Sequence, residues 1–180
     1  FPSFTPADDI MRPIAERIKS ERIRCFLGQE VRQISSDGVT LRSNERIPGE
    51  AVVVATGFTL FDAHRKQEYG YGLYNNVITS VDLERMMNSG KVMLADGSEP
   101  RRIAILHCVG SRDEKVGQRH CSKVCCITGV KQAIELKQLF PTADVFNFYM
   151  DIRMFGPGYE ELYREAQEKY NVHFVRGRIS

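Results

Sequence analysis

The sequence predicts an α/β fold with a parallel sheet, because the second half of the chain alternates strand-like and helix-like segments. Three short apolar runs are typical of strands, at residues 103–106, 144–150 and 172–175. Two stretches with helical spacing of apolar residues lie between them, at residues 121–139 and 159–170. This βαβαβ order favours parallel pairing with right-handed crossovers, so we predict a Rossmann-like unit over residues 101–180.

The start of the chain predicts a helix and a hairpin. Residues 5–20 carry isoleucines at helical spacing behind a capping segment, although Pro13 weakens that pattern. A short strand is expected at residues 23–26. Residues 29–34 and 39–41 then predict a hairpin, since Ser-Asp-Gly between them is turn chemistry.

The middle of the chain predicts one buried strand followed by an irregular connection. Residues 51–55 are apolar and β-branched, which is typical of a buried strand. Residues 61–100 are rich in loop-forming residues and form a connecting segment. One short helix is expected to open at residues 79–84, with Ser80 as its cap and Leu83 on its apolar face.

Composition and charge exclude several classes of function. Hydrophobic residues make up 42% and charged residues 27%, which is ordinary for a soluble protein. The formal net charge of +2 gives no reason to expect a nucleic acid or an anionic membrane as partner. No apolar run reaches the roughly 18 residues of a transmembrane helix, and no signal peptide is recognisable. We therefore expect a cytoplasmic protein without direct membrane insertion.

The chain starts at Phe1 rather than at methionine and stops just after a predicted strand, so we expect an internal piece of a longer protein. Such a piece is expected to be inactive by itself. Its five cysteines, without a secretory signal, indicate a reducing compartment. Clustered cysteines there bind metal or carry out redox chemistry more often than they form structural disulfides.

Four cysteines with the spacing Cys-x12-Cys-x3-Cys-Cys are the strongest chemical signal: Cys108, Cys121, Cys125 and Cys126. Cys108 follows the first strand of the βαβαβ unit, at the edge where such folds hold ligands. Cys121 and Cys125 are expected to stack on one face of the helix at 121–139. Four thiolates then converge at a helix N-terminus, which favours an anionic group.

This ligand set suits a [4Fe-4S] cluster best, and three alternatives remain open. Zinc sites usually carry two short cysteine pairs, whereas this sequence has one. A thiol-redox site needs only two cysteines, usually as Cys-x-x-Cys. The third alternative is coincidence. His107 and His120 flank candidate ligands, so each could bind the cluster or donate a hydrogen bond to it, although an ordinary polar role is the simpler interpretation. Cys25 lies apart from these residues and is expected to be a buried strand residue.

The turn after the first strand of this unit argues against nicotinamide binding. A dinucleotide-binding unit has Gly-x-Gly-x-x-Gly there, so that pyrophosphate rests on the helix N-terminus. Here only Gly110 and Gly117 are present, seven residues apart, and the cysteines occupy the position instead.

Two further segments are weaker candidates for a site. The predicted strand at 51–55 runs into Thr56 and Gly57, and a glycine there lets backbone approach a cofactor closely. Asp151 and Arg153 follow another strand, and a surface ion pair is the simpler interpretation for them.

Six segments together resemble the A-subunit family of heterodisulfide reductases and the related quinone-interacting oxidoreductase flavoprotein subunits, over residues 45–178. They are Val54-Ala55-Thr56-Gly57-Phe58, Tyr69-Gly70-Tyr71-Gly72, Asn76-Val77-Ile78-Thr79-Ser80, Cys108-Val109-Gly110-Ser111-Arg112-Asp113, Cys121-Ser122-Lys123-Val124-Cys125-Cys126 and Phe155-Gly156-Pro157-Gly158-Tyr159-Glu160-Glu161. The two cysteine-bearing segments are the specific part of the resemblance.

The resemblance implies a thioredoxin-reductase-like core: part of an FAD-binding domain at 1–60, the connecting segment at 61–100 and the Rossmann-like domain at 101–180. It implies electron transfer between FAD, a [4Fe-4S] cluster and partner subunits of an oxidoreductase complex. The implied cluster ligands are Cys108, Cys121, Cys125 and Cys126, and the implied flavin-lining residues are Ala55, Thr56 and Gly57. The glycine-rich FAD loop and ferredoxin-type cysteine motifs of the family are not in this sequence, so we expect that the piece alone can lack either cofactor. The functional alternatives are a zinc-stabilised interaction module and a nicotinamide-dependent disulfide reductase domain.

Overall fold

The computed structural model describes residues 7–19 and 23–179, with side chains from residue 12 onward. The chain forms two compact units, one ending at Thr59 and the other beginning at Leu60. The three-part division at 1–60, 61–100 and 101–180 stays a prediction. None of the helices in the described part is long and apolar enough to cross a bilayer.

The first unit contains a helix and a small antiparallel sheet. Its elements are α1 (Ala7–Ile18), β1 (Val31–Ser35), β2 (Gly38–Leu41) and β3 (Arg46–Pro48), and the strand order is β1-β2-β3. The predicted helix and hairpin are therefore confirmed, whereas the capping segment before the helix lies outside the described residues. Gly38 is required in the turn, because it has φ of 138° and an added Cβ would lie 2.1 Å from the carbonyl oxygen of Ile47.

Two predicted strands of this unit are wrong. Residues 23–26 and 51–55 are neither helix nor strand, and Cys25 is exposed rather than buried. Val53 is 88% exposed, although its sequence neighbours are those of a buried strand. A buried strand needs hydrogen-bonding partners for its backbone, and neither described sheet pairs with these segments.

The second unit begins with turns and the helix α2 (Ser80–Asn88), which confirms the expected short helix. Its cap is Thr79, so the prediction that Ser80 caps it is wrong. Thr79 has extended backbone angles, and its hydroxyl accepts a hydrogen bond from the backbone N–H of Asp82 at 3.2 Å. The Asp82 carboxylate in turn accepts from the Thr79 N–H at 3.1 Å, which completes a capping box.

The remainder of the second unit forms the predicted βαβαβ pattern. The elements are β4 (Arg102–Leu106), α3 (Cys125–Leu139), β5 (Asp144–Tyr149), α4 (Tyr159–Glu168) and β6 (His173–Arg176). The three strands pair in parallel in the order β4-β5-β6, with Ile105 opposite Asn147. The prediction of an α/β fold with a parallel, Rossmann-like sheet is confirmed.

The core of this unit lies where α3 packs on the sheet and against α4. Val130, Ile134 and Leu136 of α3 are almost completely buried, as their helical spacing predicts. Val124 was expected to point inward too, but it is 40% exposed because it lies just before the first turn of α3. The helix begins at Cys125, four residues later than predicted.

Candidate metal centre

The cysteines lie in and around a long loop that connects β4 to α3. Cys108 follows β4 by two residues, and Cys125 and Cys126 form the start of α3. The loop therefore lies at the carboxyl end of a parallel strand, where open α/β sheets bind their ligands. Cys108 and Cys126 are buried, and Cys125 is half-buried.

Three of the four predicted cysteines come together. The sulfurs of Cys125 and Cys126 and a ring nitrogen of His107 all lie within 4.8 Å of one another. The Cys108 thiol lies close enough to Cys125 for the two groups to shift each other's pKa. Thiol and imidazole groups at such short spacing form a donor set that suits a metal ion or a cluster.

The fourth cysteine is placed differently from the prediction. Cys121 precedes α3 rather than lying on it, because Lys123 adopts φ of 62° and interrupts helical geometry before Val124. Cys121 and Cys125 therefore do not stack on one helix face. The Cys121 sulfur is half-buried, accepts a hydrogen bond from the Lys123 N–H at 3.4 Å, and lies outside the 4.8 Å group.

Ser111 ties the two halves of the loop together. Its hydroxyl donates to the carbonyl oxygen of His120 at 2.9 Å and accepts from the N–H of Ser122 at 3.0 Å. The backbone N–H of Arg112 donates to the same carbonyl at 3.1 Å. Three non-glycine residues of this loop, Cys108, Arg112 and Lys123, adopt positive φ, a conformation that costs energy and is enriched at functional sites.

Asp113 holds the loop between β4 and α3 in place through ion pairs. The sequence did not predict this role. The Asp113 carboxylate lies 2.8 Å from the ammonium of Lys66, and the exposed fractions of these side chains are 2% and 3%. Arg178 also pairs with Asp113. The only sequence signal was the position of Asp113 in the Cys-Val-Gly-Ser-Arg-Asp segment, and nothing in the sequence singled out Lys66.

Asp151 and Arg153 contact the site, contrary to the simpler interpretation of a surface pair between them. The Cys126 thiol donates to the carbonyl oxygen of Asp151 at 3.7 Å, and the N–H of Arg153 donates to the Cys126 sulfur at 3.4 Å. The Asp151 carboxylate pairs with Arg112 at 2.8 Å and with Arg176 at 3.3 Å. The loop after β5 therefore forms one wall around Cys126.

The clustered thiols perturb one another's acidity. The neighbouring thiols of Cys108 and then Cys126 lower the pKa of Cys125 below its ordinary value, which favours a thiolate there. The neighbouring Cys125 sulfur, followed by burial, raises the pKa of both Cys108 and Cys126. Among these three thiols the negative charge is therefore favoured on Cys125, as expected for titratable groups that lie close together.

Only one of the two histidines beside the cysteines takes part in this cluster. His107 is half-buried and its Nε2 lies 2.7 Å from Oδ1 of Asn147, whereas its Nδ1 is buried without a hydrogen-bond partner. His120 is exposed, and only its backbone carbonyl contacts the loop.

The predicted flavin-lining residues belong to the first unit. Ala55, Thr56 and Gly57 are exposed and lie in neither helix nor strand. Gly57 has φ of 68°, and an added Cβ there would meet no atom within 4 Å. Their role in flavin binding stays a prediction.

The amino-acid sequence of the chain is similar to those of subunits of heterodisulfide reductases from methanogens. No family model matches the chain. The chain is 50% identical over 133 residues, 71% of its length, to the A subunit of the H(2):CoB-CoM heterodisulfide,ferredoxin reductase of Methanothermobacter marburgensis. It is 49% identical over 133 residues to the iron-sulfur A subunit of the CoB--CoM heterodisulfide reductase of Methanocaldococcus jannaschii, again 71% of this chain. It is 46% identical over 136 residues, 72% of its length, to the A subunit of the Ferredoxin/F(420)H(2)-dependent CoB-CoM heterodisulfide reductase of Methanosarcina acetivorans.

These relatives confirm the resemblance to the A-subunit family of heterodisulfide reductases that the cysteine motifs predicted. They are subunits of an oxidoreductase, and similarity near 50% over more than two thirds of this chain makes them its homologues. The chain spans about a fifth of the length of these curated relatives, at 20%, 20% and 17%.

Proposed function

We propose that this chain is the part of a heterodisulfide-reductase-type electron-transfer subunit that holds a [4Fe-4S] cluster. The proposed ligands are Cys108, Cys121, Cys125 and Cys126. The observation that carries the proposal is the convergence of three of these thiols at the start of α3, at the carboxyl end of β4. The relative from Methanocaldococcus jannaschii is itself named an iron-sulfur subunit.

The donor set fits the cluster in its chemistry. Iron–sulfur clusters are bound by thiolates, and hydrogen bonds to their sulfurs adjust their reduction potentials. Two backbone N–H groups already point at sulfurs here, from Arg153 to Cys126 and from Lys123 to Cys121, each at 3.4 Å. Cys121 is the ligand that must approach, and its position in the loop before α3 allows this without unwinding a helix.

The residues around the site have separate tasks in this proposal. The first N–H groups of α3 lack a side-chain cap and favour an anionic group beside Cys125 and Cys126. Arg112 is held by Asp151 and adds positive charge at the same place. The cluster, when bound, supplies one-electron redox chemistry, and these residues bind it, orient it and offset its charge.

The wider assembly is also a proposal. Ala55, Thr56 and Gly57 are proposed to line an FAD, and Gly57 leaves the backbone open to such an approach. The electrons are proposed to pass between FAD, the cluster and partner subunits, in the cytoplasm. Gly57→Val in the full-length protein is expected to lower its FAD content, whereas Gly28→Val is the control at an equally open glycine. An unchanged FAD content in Gly57→Val contradicts this flavin role.

Serine substitutions test the ligand assignment. Each of the four substitutions Cys108→Ser, Cys121→Ser, Cys125→Ser and Cys126→Ser is expected to reduce iron and sulfide after anaerobic reconstitution. Cys25→Ser is the matched control, because Cys25 is an exposed cysteine of the first unit. If Cys125→Ser retained wild-type iron, that ligand would be wrong.

A zinc-stabilised interaction module is the second candidate. It is favoured by the His107, Cys125 and Cys126 group, because one imidazole and two thiols are common zinc ligands. Zinc without absorbance near 400 nm in anaerobically prepared protein would establish this alternative; iron with that absorbance contradicts it. The nicotinamide-dependent reductase predicts NAD(P)H binding, which the long β4–α3 loop disfavours.

A further inference from the structure

His107 is one of three polar residues at this site with a buried nitrogen that lacks a hydrogen-bond partner, together with Arg112 and Asn147. Its ring nitrogen and the sulfurs of Cys125 and Cys126 lie within 4.8 Å of one another. Nε2 is engaged by Asn147 at 2.7 Å, and Nδ1 is buried with no hydrogen-bond partner. A buried ring nitrogen without a partner is costly, so a group that completes its bonding is expected nearby.

The surroundings hold the imidazole in place. Asn147 is completely buried on β5 and anchors Nε2 from the sheet side. Gly129, one turn beyond Cys125 on α3, makes room for the ring, because an added Cβ would lie 2.6 Å from Nε2. Strand and helix therefore fix the ring in one orientation beside the thiols.

The orientation of the Asn147 amide is linked to which ring nitrogen of His107 carries the hydrogen, since an oxygen beside Nε2 requires the hydrogen there. The Asn147 Nδ2 is also buried without a partner. The two ends of an amide exchange places by a half-turn, and hydrogen-bond partners decide between the orientations. After that half-turn Nδ2 donates to Nε2, which puts the ring hydrogen on Nδ1 of His107. That rotation gives a partner to Asn147 Nδ2, and His107 Nδ1 then needs an acceptor of its own.

We propose that this acceptor is the Cys125 sulfur, so that His107 Nδ1–H donates to a cluster-ligating thiolate and raises the reduction potential of the cluster. The inference rests on the proposed function, because it requires Cys125 as a ligand. His107 does not bind iron and acts on the cluster through the Cys125 sulfur. Hydrogen bonds to ligand sulfurs stabilise the more negative, reduced state, which is the reason for the direction of the shift.

His107→Leu removes the donor, and His107→Asn keeps an N–H group near the position of Nδ1 in a side chain of nearly the same shape. His120→Leu is the matched control at an exposed histidine that also adjoins a proposed ligand. The protein is reconstituted anaerobically, its iron is counted, and the cluster signal is followed by EPR during titration with a chemical reductant. At fixed potential, His107→Leu is expected to shift the ratio of oxidised to reduced cluster about tenfold toward oxidised, or about 59 mV for one electron.

His107→Asn and His120→Leu are expected to stay near the wild-type potential, and all three variants are expected to keep wild-type iron. An unchanged potential in His107→Leu overturns the inference, and so does loss of iron from His107→Leu when His107→Asn is folded. Wild-type protein that takes up no iron overturns the proposed function as well, which separates the two failures.

A measurement without any change at His107 covers the case in which His107→Leu does not fold. Pulsed EPR of His120→Leu protein labelled with ¹⁵N-histidine is expected to show a weak nitrogen coupling, transmitted through the hydrogen bond to the sulfur. The strong coupling of a nitrogen bonded directly to iron, or the absence of any coupling, contradicts the inference.

Discussion

Lys66 and Asp113 form an almost completely buried ion pair, with the ammonium nitrogen 2.8 Å from a carboxylate oxygen. Asp113 lies in the loop between β4 and α3, whereas Lys66 comes from the turns before α2. The Asp113 carboxylate also accepts from the backbone N–H of Lys115 at 3.1 Å. The pair therefore joins the cysteine-bearing loop to the start of the second unit.

Asp113→Asn is expected to destabilise the second unit, because it leaves the Lys66 charge buried without its main partner. The urea midpoint of unfolding measures the effect. Glu114→Gln is the control, since its ion pair with Arg119 is about three-quarters exposed and such pairs contribute about 0–1 kcal/mol. A midpoint for Asp113→Asn that falls no further than that of Glu114→Gln contradicts this role.

Acid is expected to weaken the same pair. The hydrogen bond from Lys66 holds the pKa of Asp113 below its ordinary value. The stabilisation is therefore complete above the ordinary carboxyl pKa of about 3.9 and is lost as the pH falls through the lower folded-state pKa. Urea unfolding at several pH values between about 2 and 6 is expected to show a shallower pH dependence in Asp113→Asn than in wild type. If the free energy of unfolding depends on pH in the same way in both proteins, the predicted contribution of the Asp113 carboxylate is contradicted.

Thr79→Ala is expected to lower the free energy of unfolding by about 1 kcal/mol, because it removes the capping box of α2. Ser80→Ala is expected to change it by less than about 0.5 kcal/mol, since Ser80 is an exposed residue inside the helix. Chemical unfolding of both variants compares the two neighbours directly. The reverse order of effects means that Ser80 is the cap after all.

Gly129→Ala is expected to destabilise the protein by about 1–2 kcal/mol, because the new methyl group collides with His107 and outweighs the gain in helix propensity. Gly49→Ala is the control, because its nearest contact would lie at an ordinary 3.6 Å. The free energy of unfolding of each variant is compared with that of the wild type by chemical denaturation. A Gly129→Ala protein as stable as wild type shows that the ring moves aside freely.

Much of the second unit was predictable, because alternating apolar segments of strand and helix length specify a parallel sheet almost by themselves. The position of Cys108 at a strand end followed from the same pattern. The position of Cys121 did not, because a lysine with positive φ is rare and Lys123 carries no local signal for it. The prediction of a buried strand at 51–55 was wrong, because an apolar run forms a strand only beside a partner strand and neither described sheet pairs with it.

The ion pair of Lys66 with Asp113 and the dyad of His107 with Asn147 lay beyond sequence reasoning for a related reason. The two residues are 47 positions apart in the sequence in the first pair and 40 positions apart in the second. Pairing over such sequence separations leaves no local pattern. Both become visible only after the sheet has placed β4, β5 and the loop after β4 side by side.

The metal content of anaerobically prepared protein tests the central claim most directly. We expect about four iron and four sulfide ions per chain after reconstitution, with absorbance near 400 nm that Cys125→Ser loses and Cys25→Ser keeps. Fewer than about two iron ions per chain, or zinc in their place, contradicts the assignment of the four cysteines to a [4Fe-4S] cluster.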